Sequence, residues 1–409
     1  MTITVEDIRA AAVLLAGELV RTPCVVSPAL SELTGASVVL KLENLQQTGS
    51  FKPRGALVKM NSLDAAQKKA GVVAASAGNH AQGVAFHGRR MNIPAIIVMP
   101  TATPFNKVSR TEALGAQIVL HGDTLSECRE HAVRLADDKG CEFISPYDDE
   151  KVVTGQGTIG LEMLEDHPDI DILVVPIGGG GLIAGIATVA KALRPGIEVV
   201  GVQAALFPSM YRALRGEASA GGGTTVADGI AVKSPGIITK PIIEDLVSDV
   251  LLVDEPALEQ AVQTYLEVQR IVVEGAGSAS LAALVENRQR FAGQKVGLVV
   301  SGGNIDSRLL SFILMRGLVR EGRLVSLRIE ITDTPGALAK VTGLVGESGG
   351  NIVEVYHQRL SQDIPVKMTE VDVVVETRDM GHVRALLDIL NRKGFPARLL
   401  SSTALDAAG

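Results

Sequence analysis

The sequence predicts an α/β protein in which two parallel-sheet subdomains are followed by a ferredoxin-like βαββαβ domain. Between residues 71 and 145, short β-branched runs alternate with helical segments, and a second series of this kind begins near residue 155. Such βα repetition is typical of a parallel sheet with helices on its faces. After residue 322 the pattern becomes strand, helix, two strands, helix and strand, which is the ferredoxin-like order.

Length and composition support this division. The chain has 409 residues, too many for one typical domain, and 46% of them are hydrophobic although tryptophan is absent. The aliphatic excess suits the buried strands of parallel sheets. We predict a domain at 1–322, with a smaller subdomain at about 45–147 and a larger one formed by the remainder, and a second domain at 323–409.

Charge and cysteine content exclude several classes of protein. No apolar run reaches the ~18–20 residues of a membrane span, and Glu6 and Asp7 occupy a region where a signal peptide would be basic. Cys24, Cys128 and Cys141 show no metal-like spacing, which indicates a reducing compartment. The net charge is −7, and the sequence has no block of basic residues that could bind nucleic acid. We predict a soluble cytoplasmic protein with no membrane or nucleic-acid partner.

Hydrophobic periodicity places the elements of the first domain. An amphipathic helix is predicted at about 5–20 and a first strand at 37–43. Further strands are predicted at 72–75, 94–100, 116–120, 142–145, 172–177, 198–203 and 295–300, with helices at 104–114 and 124–138.

A lysine follows the first predicted strand in a glycine-flanked loop, residues 49–55 (GSFKPRG). Pro53 suits the first helical position, so a helix is predicted to begin just after Lys52. The positive end of that helix favours a neutral amine, which Schiff-base chemistry requires. On this loop alone, a lysine that binds phosphate or carboxylate is an equal alternative.

Two further loops each join a strand to a helix. Residues 76–80 (SAGNH) form a helix N-terminus suited to a carboxylate. Residues 178–181 are four glycines, whose backbone N–H groups could close around a phosphate without Cβ obstruction. A glycine run alone is often only a turn. A Schiff-base lysine together with a phosphate cradle, however, is what pyridoxal 5′-phosphate (PLP) needs.

These three loops, together with residues 301–304 (SGGN), resemble the motifs of PLP-dependent threonine dehydratases (threonine ammonia-lyases) of the tryptophan-synthase-β-like fold type. The resemblance covers essentially the whole chain. It implies a lyase that eliminates water from L-threonine to give 2-oxobutanoate and ammonia. It also implies a homo-oligomer, with a tetramer favoured.

The resemblance implies a role for each motif. Lys52 would hold the cofactor and act as the base at Cα, and Asn79 would bond the ring oxygen of the cofactor. The implied cofactor-binding residues are Lys52, Asn79, Gly178, Gly179, Gly180, Gly181, Leu182 and Ser301. The implied substrate-binding residues are Ser76, Gly78, Asn79 and His80.

Ser301 bears on the type of reaction. A serine facing the pyridine nitrogen gives a weaker electron sink than an aspartate, which suits β-elimination better than transamination; the alternative is an ordinary turn cap. Serine racemases of this fold carry a second serine where this chain has Ala77, which argues against racemisation. Metal-responsive relatives carry carboxylates where this chain has residues 203–209 (QAALFPS), so we predict no metal site.

Two other segments leave alternatives open. Residues 228–230 (DGI) follow a triple glycine and could be part of a flexible connection, whereas the resemblance places them at the active-site wall. Glu274 is similar to the family's acid on the edge of the cofactor, and an acid capping the first turn of a helix is an equal explanation.

The C-terminal domain resembles the ACT domain, which binds amino acids at a strand–helix loop. The predicted strands are 324–332, 351–360, 367–377 and 397–402, and the predicted helices are 336–347 and 380–393. The effector residues expected from the resemblance are Asp333, Pro335, Gly336, Asn351 and Ile352. Allosteric inhibition by isoleucine, with valine as a possible antagonist, is expected for a role in isoleucine biosynthesis; the alternative is a structural oligomerisation module.

Two rival functions remain. One rival is a dehydratase that prefers L-serine. Serine and threonine differ by one methyl group, and a pocket contact to that group is worth only about 1–3 kcal/mol. A catalytically silent amino-acid sensor is the other rival. Intact motifs at Lys52, Asn79, 178–181 and Ser301 argue against that sensor.

Overall fold

The computed structural model describes residues 3–218, 221–358 and 367–400. The strands of this part are β1 (Cys24–Val26), β2 (Ser37–Leu42), β3 (Val72–Ala75), β4 (Ala95–Met99), β5 (Gln117–Leu120), β6 (Glu142–Phe143), β7 (Ile172–Pro176), β8 (Glu198–Ala204), β9 (Asp249–Val253), β10 (Lys295–Val300), β11 (Leu324–Thr332), β12 (Asn351–Gln358), β13 (Met368–Glu376) and β14 (Ala397–Leu400).

Helices connect most of these strands. They are α1 (Val5–Leu15), α2 (Pro28–Thr34), α3 (Lys52–Asn61), α4 (Ala65–Ala70), α5 (Asn79–Met91), α6 (Phe105–Ala113), α7 (Leu125–Lys139), α8 (Glu150–Asp166), α9 (Gly181–Leu193), α10 (Ser209–Ala213), α11 (Thr239–Leu246), α12 (Glu255–Thr264), α13 (Gly275–Glu286), α14 (Arg288–Phe291), α15 (Ser307–Arg320), α16 (Ala337–Glu347) and α17 (Met380–Arg392). A 3₁₀ turn at Asp228–Ile230 lies in the second half of the first domain.

The chain divides into two compact units between Ile305 and Asp306. The predicted boundary at 322 lay after α15, whereas contacts within the structure group α15 with the second unit. The backbone N–H of Arg323 donates to the carbonyl of Leu318 (2.8 Å), so the end of α15 turns directly into the segment before β11.

A six-stranded sheet forms the larger part of the first unit, in the order β1-β2-β10-β7-β8-β9. Every pairing is parallel except that of β1 with β2. Successive residues of β7 point to opposite faces: Leu173 enters one hydrophobic core and Val174 the other. Both faces are therefore covered, which explains the continuous apolar strands.

A second, four-stranded parallel sheet has the order β5-β4-β3-β6 and lies between residues 72 and 143, within the predicted smaller subdomain. Val72 packs on the face covered by α3 and α5, and Val73 on the face covered by α7. The predicted α/β class with two parallel-sheet subdomains is confirmed.

The second unit is an antiparallel sheet of order β12-β13-β11-β14 with α16 and α17 packed on one face. This order is that of the predicted ferredoxin-like fold, which is confirmed. The predicted ends of two strands, at 359–360 and 401–402, lie outside the described residues.

The N-terminal helix is shorter than predicted. It ends at Leu15 rather than near residue 20, because Gly17 adopts a positive φ of 77° and the N–H groups of Glu18 and Leu19 turn back to the Leu15 carbonyl. Among the described residues, no helix combines the length and the apolar character needed to cross a membrane.

Candidate active site

The lysine loop and the Ser301 loop are joined by main-chain hydrogen bonds. The N–H of Phe51 donates to the Ser301 carbonyl (3.1 Å) and that of Gly303 donates to the Gly49 carbonyl (2.9 Å). Lys52 is the first residue of α3, so the helix begins one residue before the start that Pro53 predicted. Two motifs far apart in the sequence are thereby held side by side at the end of β10.

The Lys52 amine lies in a restricted environment. Its Nζ donates to the Pro146 carbonyl (2.8 Å) and lies 5.0 Å from the centroid of the Phe51 ring. Burial lowers the pKa of Lys52 to about 8, although the Glu274 carboxylate acts in the opposite direction. A useful fraction of the amine is therefore neutral near physiological pH.

A buried ion network fixes the start of α3. Arg54 donates to both oxygens of Glu43 (2.9 Å each) and to both oxygens of Glu162 (2.6 and 2.9 Å). Lys41 is a second donor to Glu162 and also donates to the Thr22 carbonyl (2.7 Å). Two cations thus balance two carboxylates, which is how buried charges are tolerated.

Asn79 opens α5, and both ends of its amide are used. Nδ2 donates to Glu274 Oε1 (2.7 Å), and Oδ1 accepts from Nδ2 of Asn304 (2.8 Å). Burial raises the pKa of Glu274 to about 7, and the hydrogen bond from Asn79 opposes that rise. Glu274 occupies the N-cap position of α13 without a capping hydrogen bond from its side chain, so its carboxylate serves Asn79 rather than the helix.

Residues 76–80 form the predicted helix N-terminus, but the His80 ring is already engaged. Ser76 Oγ accepts the Gly78 N–H (3.1 Å), and His80 Nε2 donates to the Ile144 carbonyl (2.9 Å). Burial and the nearby Lys52 lower the pKa of His80 to about 3. The imidazole is neutral and turned to the protein interior, so a carboxylate here would meet backbone N–H groups.

The four glycines at 178–181, hereafter the glycine loop, lead from β7 into α9. Gly180 has a φ of 99°, which glycine adopts readily. Within the described part of the chain, no protein acceptor takes the N–H of Gly178, Gly179 or Gly180. Free N–H groups at the N-terminus of a helix are what a phosphate requires. Leu182 follows as a buried residue of α9.

Ser301 is 3% exposed, and its hydroxyl makes no hydrogen bond to the described residues. Its carbonyl accepts from Phe51, so the residue is fixed in place while the hydroxyl stays available. A half-buried lysine, a cluster of free N–H groups and an available neutral hydroxyl occur on one unit. This set of groups fits PLP.

The chain was compared with known proteins. A family model described as "Pyridoxal-phosphate dependent enzyme" matches residues 15–302. The chain belongs to this family. PLP is therefore its cofactor, and the matched range contains every predicted cofactor-binding residue.

Relatives of this PLP enzyme include an L-threonine ammonia-lyase from Thermotoga maritima, 43% identical over 97% of this chain and 100% of the relative. A catabolic L-threonine dehydratase from Escherichia coli is 42% identical over 76% of this chain and 96% of the relative. Among solved structures, maize serine racemase has a TM-score of 0.73 at 33% identity, covering 78% of this chain and 99% of the racemase.

The segment at residues 228–230 of the PLP enzyme lies close to the glycine loop and to Glu274. A Cβ on Gly229 would lie 3.6 Å from Glu274 Oε1, and a Cβ on Gly178 would lie 3.3 Å from the Gly229 carbonyl. Gly229 therefore lies between the glycine loop and Glu274. The adjacent Asp228 is paired with Lys107 of α6 (3.1 Å).

Sequence reasoning missed two residues of the site. Tyr147 packs against the glycine loop, and Asn304, which was seen only as part of a motif, orients Asn79. Tyr147 follows β6 at the carboxyl end of a parallel strand, where α/β sheets bind ligands, and that position was the available signal.

The expected effector residues do not converge within one copy of the second unit. Thr332 pairs with Met368 at one end of the sheet, whereas Asn351 pairs with Glu376 at the other. β11 is nine residues long, so the loop at 333–336 and the start of β12 lie about 27 Å apart at about 3.4 Å per residue. The resemblance to the ACT domain grouped these residues, and such domains usually bind an amino acid across a pair of domains, so the effector site stays a prediction.

Proposed function

We propose that this PLP enzyme is an L-threonine ammonia-lyase, which releases 2-oxobutanoate and ammonia from L-threonine. The observation that carries the proposal is the pairing of the Lys52 and Ser301 loops, because these adjoining loops carry a partly neutral amine and a neutral hydroxyl that is free to bind a ligand. The identity to the Thermotoga maritima threonine ammonia-lyase over nearly the full length supports the choice of substrate.

Bound PLP supplies an electron sink that acidifies the Cα–H of an amino acid. The chain's own groups do the rest. Gly178–Gly181 would hold the phosphate through N–H groups, and Ser301 would offer its hydroxyl to the ring nitrogen. Because that hydroxyl is neutral, the sink is moderate and favours prompt loss of the β-hydroxyl over transamination.

Residues at the start of α5 orient the substrate. The free N–H groups of Asn79 and His80, with the hydroxyl of Ser76, bind the carboxylate at the positive end of the helix. Lys52 then takes the Cα proton, which a neutral amine with a pKa of about 8 can accept near physiological pH. Asn79 keeps one orientation because Glu274 and Asn304 hold its two ends.

The test is release of 2-oxo acid from L-threonine and from L-serine by the full chain loaded with PLP. We expect faster turnover of threonine, abolished in Lys52→Ala and retained in Lys69→Ala, a control on the exposed surface of α4. Faster turnover of serine would replace the threonine assignment with the serine one. No turnover of either amino acid, with PLP bound, would support the silent sensor. Ala77 argues against racemisation. Chiral analysis of the serine recovered from the reaction measures whether any occurs.

We further propose that the C-terminal unit regulates the enzyme through a bound amino acid, isoleucine being the first candidate and valine its antagonist, as in a biosynthetic role. The match to the E. coli catabolic relative covers only about three quarters of this chain. The alternative is therefore a catabolic role in which this effector does not act. Isoleucine inhibition of threonine turnover tests the choice. Loss of that inhibition in Asp333→Ala but not in Asn351→Ala would place the effector at the 333–336 loop.

Assembly and compartment are also proposals. We propose a cytoplasmic homotetramer; the cysteines Cys24, Cys128 and Cys141 are free thiols, as suits a reducing compartment. Light scattering of the purified chain measures the assembly directly, and a mass of one or two chains would contradict it.

A further inference from the structure

One short segment, residues 144–148, contacts three of the four motifs of the PLP site, namely the lysine loop, residues 76–80 and the glycine loop. The Ile144 carbonyl accepts from His80, and the Pro146 carbonyl accepts from Lys52. Tyr147, which follows Pro146, lies against the glycine loop. The segment follows the short strand β6, so it is held by the smaller sheet while it contacts a loop of the larger one.

The contact of Tyr147 with the glycine loop is close. A Cβ built on Gly179 would overlap the Tyr147 ring. A Cβ on Gly181 would lie 2.8 Å from the Tyr147 carbonyl oxygen and 2.9 Å from its Cα, closer than real Cβ atoms approach. Any side chain at these two positions therefore displaces either Tyr147 or the loop.

The other two glycines meet different neighbours. A Cβ on Gly178 would lie 3.2 Å from a Val232 methyl group and 3.3 Å from the Gly229 carbonyl. One on Gly180 would lie 2.7 Å from Thr239 Oγ1, at a positive φ. Tyr147 is thus the nearest neighbour of an added Cβ at Gly179 and Gly181, whereas other residues are nearest at Gly178 and Gly180.

The segment at the start of α11 holds both Asp148, the neighbour of Tyr147, and Gly179. Asp148 accepts the N–H groups of Ile237 (3.0 Å) and Ile238 (2.8 Å). The hydroxyl of Thr239 donates to the Gly179 carbonyl (2.6 Å). Gly179 is therefore packed between the Tyr147 ring on one side and a hydrogen bond from the start of α11 on the other.

We propose that Tyr147 is a positioning residue of the phosphate site, whose ring holds the glycine loop in the conformation that presents its N–H groups. Glycine at 179 is then required by Tyr147, not by the approach of the phosphate. The two explanations differ in one respect. If the phosphate imposes the glycine, the cost of a methyl group at 179 does not depend on residue 147.

A double-mutant cycle on the full-length protein separates them. PLP dissociation constants are measured by absorbance for Gly179→Ala in the wild-type and Tyr147→Ala backgrounds. We expect Gly179→Ala to weaken PLP binding at least tenfold in the wild-type background and less than threefold beside Tyr147→Ala. The matched control is Gly178→Ala, which should cost the same factor in both backgrounds.

A spectroscopic readout distinguishes positioning from general stability. The phosphorus NMR shift of bound PLP should move in Tyr147→Leu and stay unchanged in Tyr147→Phe, which keeps the ring. If Gly179→Ala folds only beside Tyr147→Ala, judged by circular dichroism, that result supports the same steric conflict. Equal costs of Gly179→Ala in both backgrounds, or an unchanged phosphorus shift in Tyr147→Leu, would overturn the proposal.

Discussion

Replacing Arg54 by methionine removes the central cation of the buried ion network. Arg54 and Glu43 are 1% and 0% exposed, and Glu162 is 14% exposed at its side chain. Methionine fills much of the same volume without donors. Lys41 still pairs with Glu162 in the variant, but Glu43 loses both of its bonds from the guanidinium.

The expected cost follows from that unpaired carboxylate. Breaking a buried pair by removal of one partner typically costs about 3–5 kcal/mol of unfolding free energy, because a charge is left without compensation. A matched control is Arg21→Met. Arg21 also contacts two carboxylates, Glu165 (3.0 Å) and Asp166 (2.9 Å), but its side chain is 46% exposed. An exposed pair is worth about 0–1 kcal/mol.

Urea unfolding of the PLP-free protein, followed by circular dichroism at pH 7, measures both variants. A cost for Arg54→Met no greater than that for Arg21→Met would refute the reasoning.

The pH dependence of unfolding gives a second check. In the wild type, Arg54 and Lys41 lower the pKa of Glu162 although burial alone would raise it, so this stabilisation is present above the ordinary carboxyl pKa and is lost as pH falls through the lowered value. Without Arg54, only Lys41 opposes the burial that raises the pKa of Glu162, so the stability deficit of the variant should shrink between pH 7 and 5.

Two further predictions use the site. Because burial lowers the pKa of Lys52 to about 8, the rate of PLP attachment to the PLP-free enzyme should reach half its maximum near pH 8; a midpoint near that of an ordinary lysine, about 10.4, would contradict the burial argument. Because burial raises the pKa of Glu274 to about 7, its ionisation costs the folded state stability as pH rises from about 4.5 to 7. Glu274→Gln, which keeps an acceptor for Asn79, should therefore gain stability relative to the wild type across that window in thermal unfolding, and parallel curves would count against a buried Glu274.

Local chemistry determined much of what the sequence predicted. Pro53 predicted the start of α3 to within one residue, and the glycine loop lies between a buried strand and a helix as its apolar neighbours predicted. Alternation of βα units gave both parallel sheets. The predicted α1 was too long because the periodic pattern of the sequence continues past Gly17. The turn that follows α1 gives Gly17 its positive φ.

The tertiary structure decided which groups meet. The pairing of the Lys52 loop with the Ser301 loop, the orientation of Asn79 by Glu274 and the packing of Tyr147 on the glycine loop all join distant segments. The separation of Asp333 from Asn351 follows from strand direction in the same way. Periodicity and turn chemistry act over a few residues, whereas these contacts depend on how the sheets pair and pack, and therefore only the folded chain specifies them.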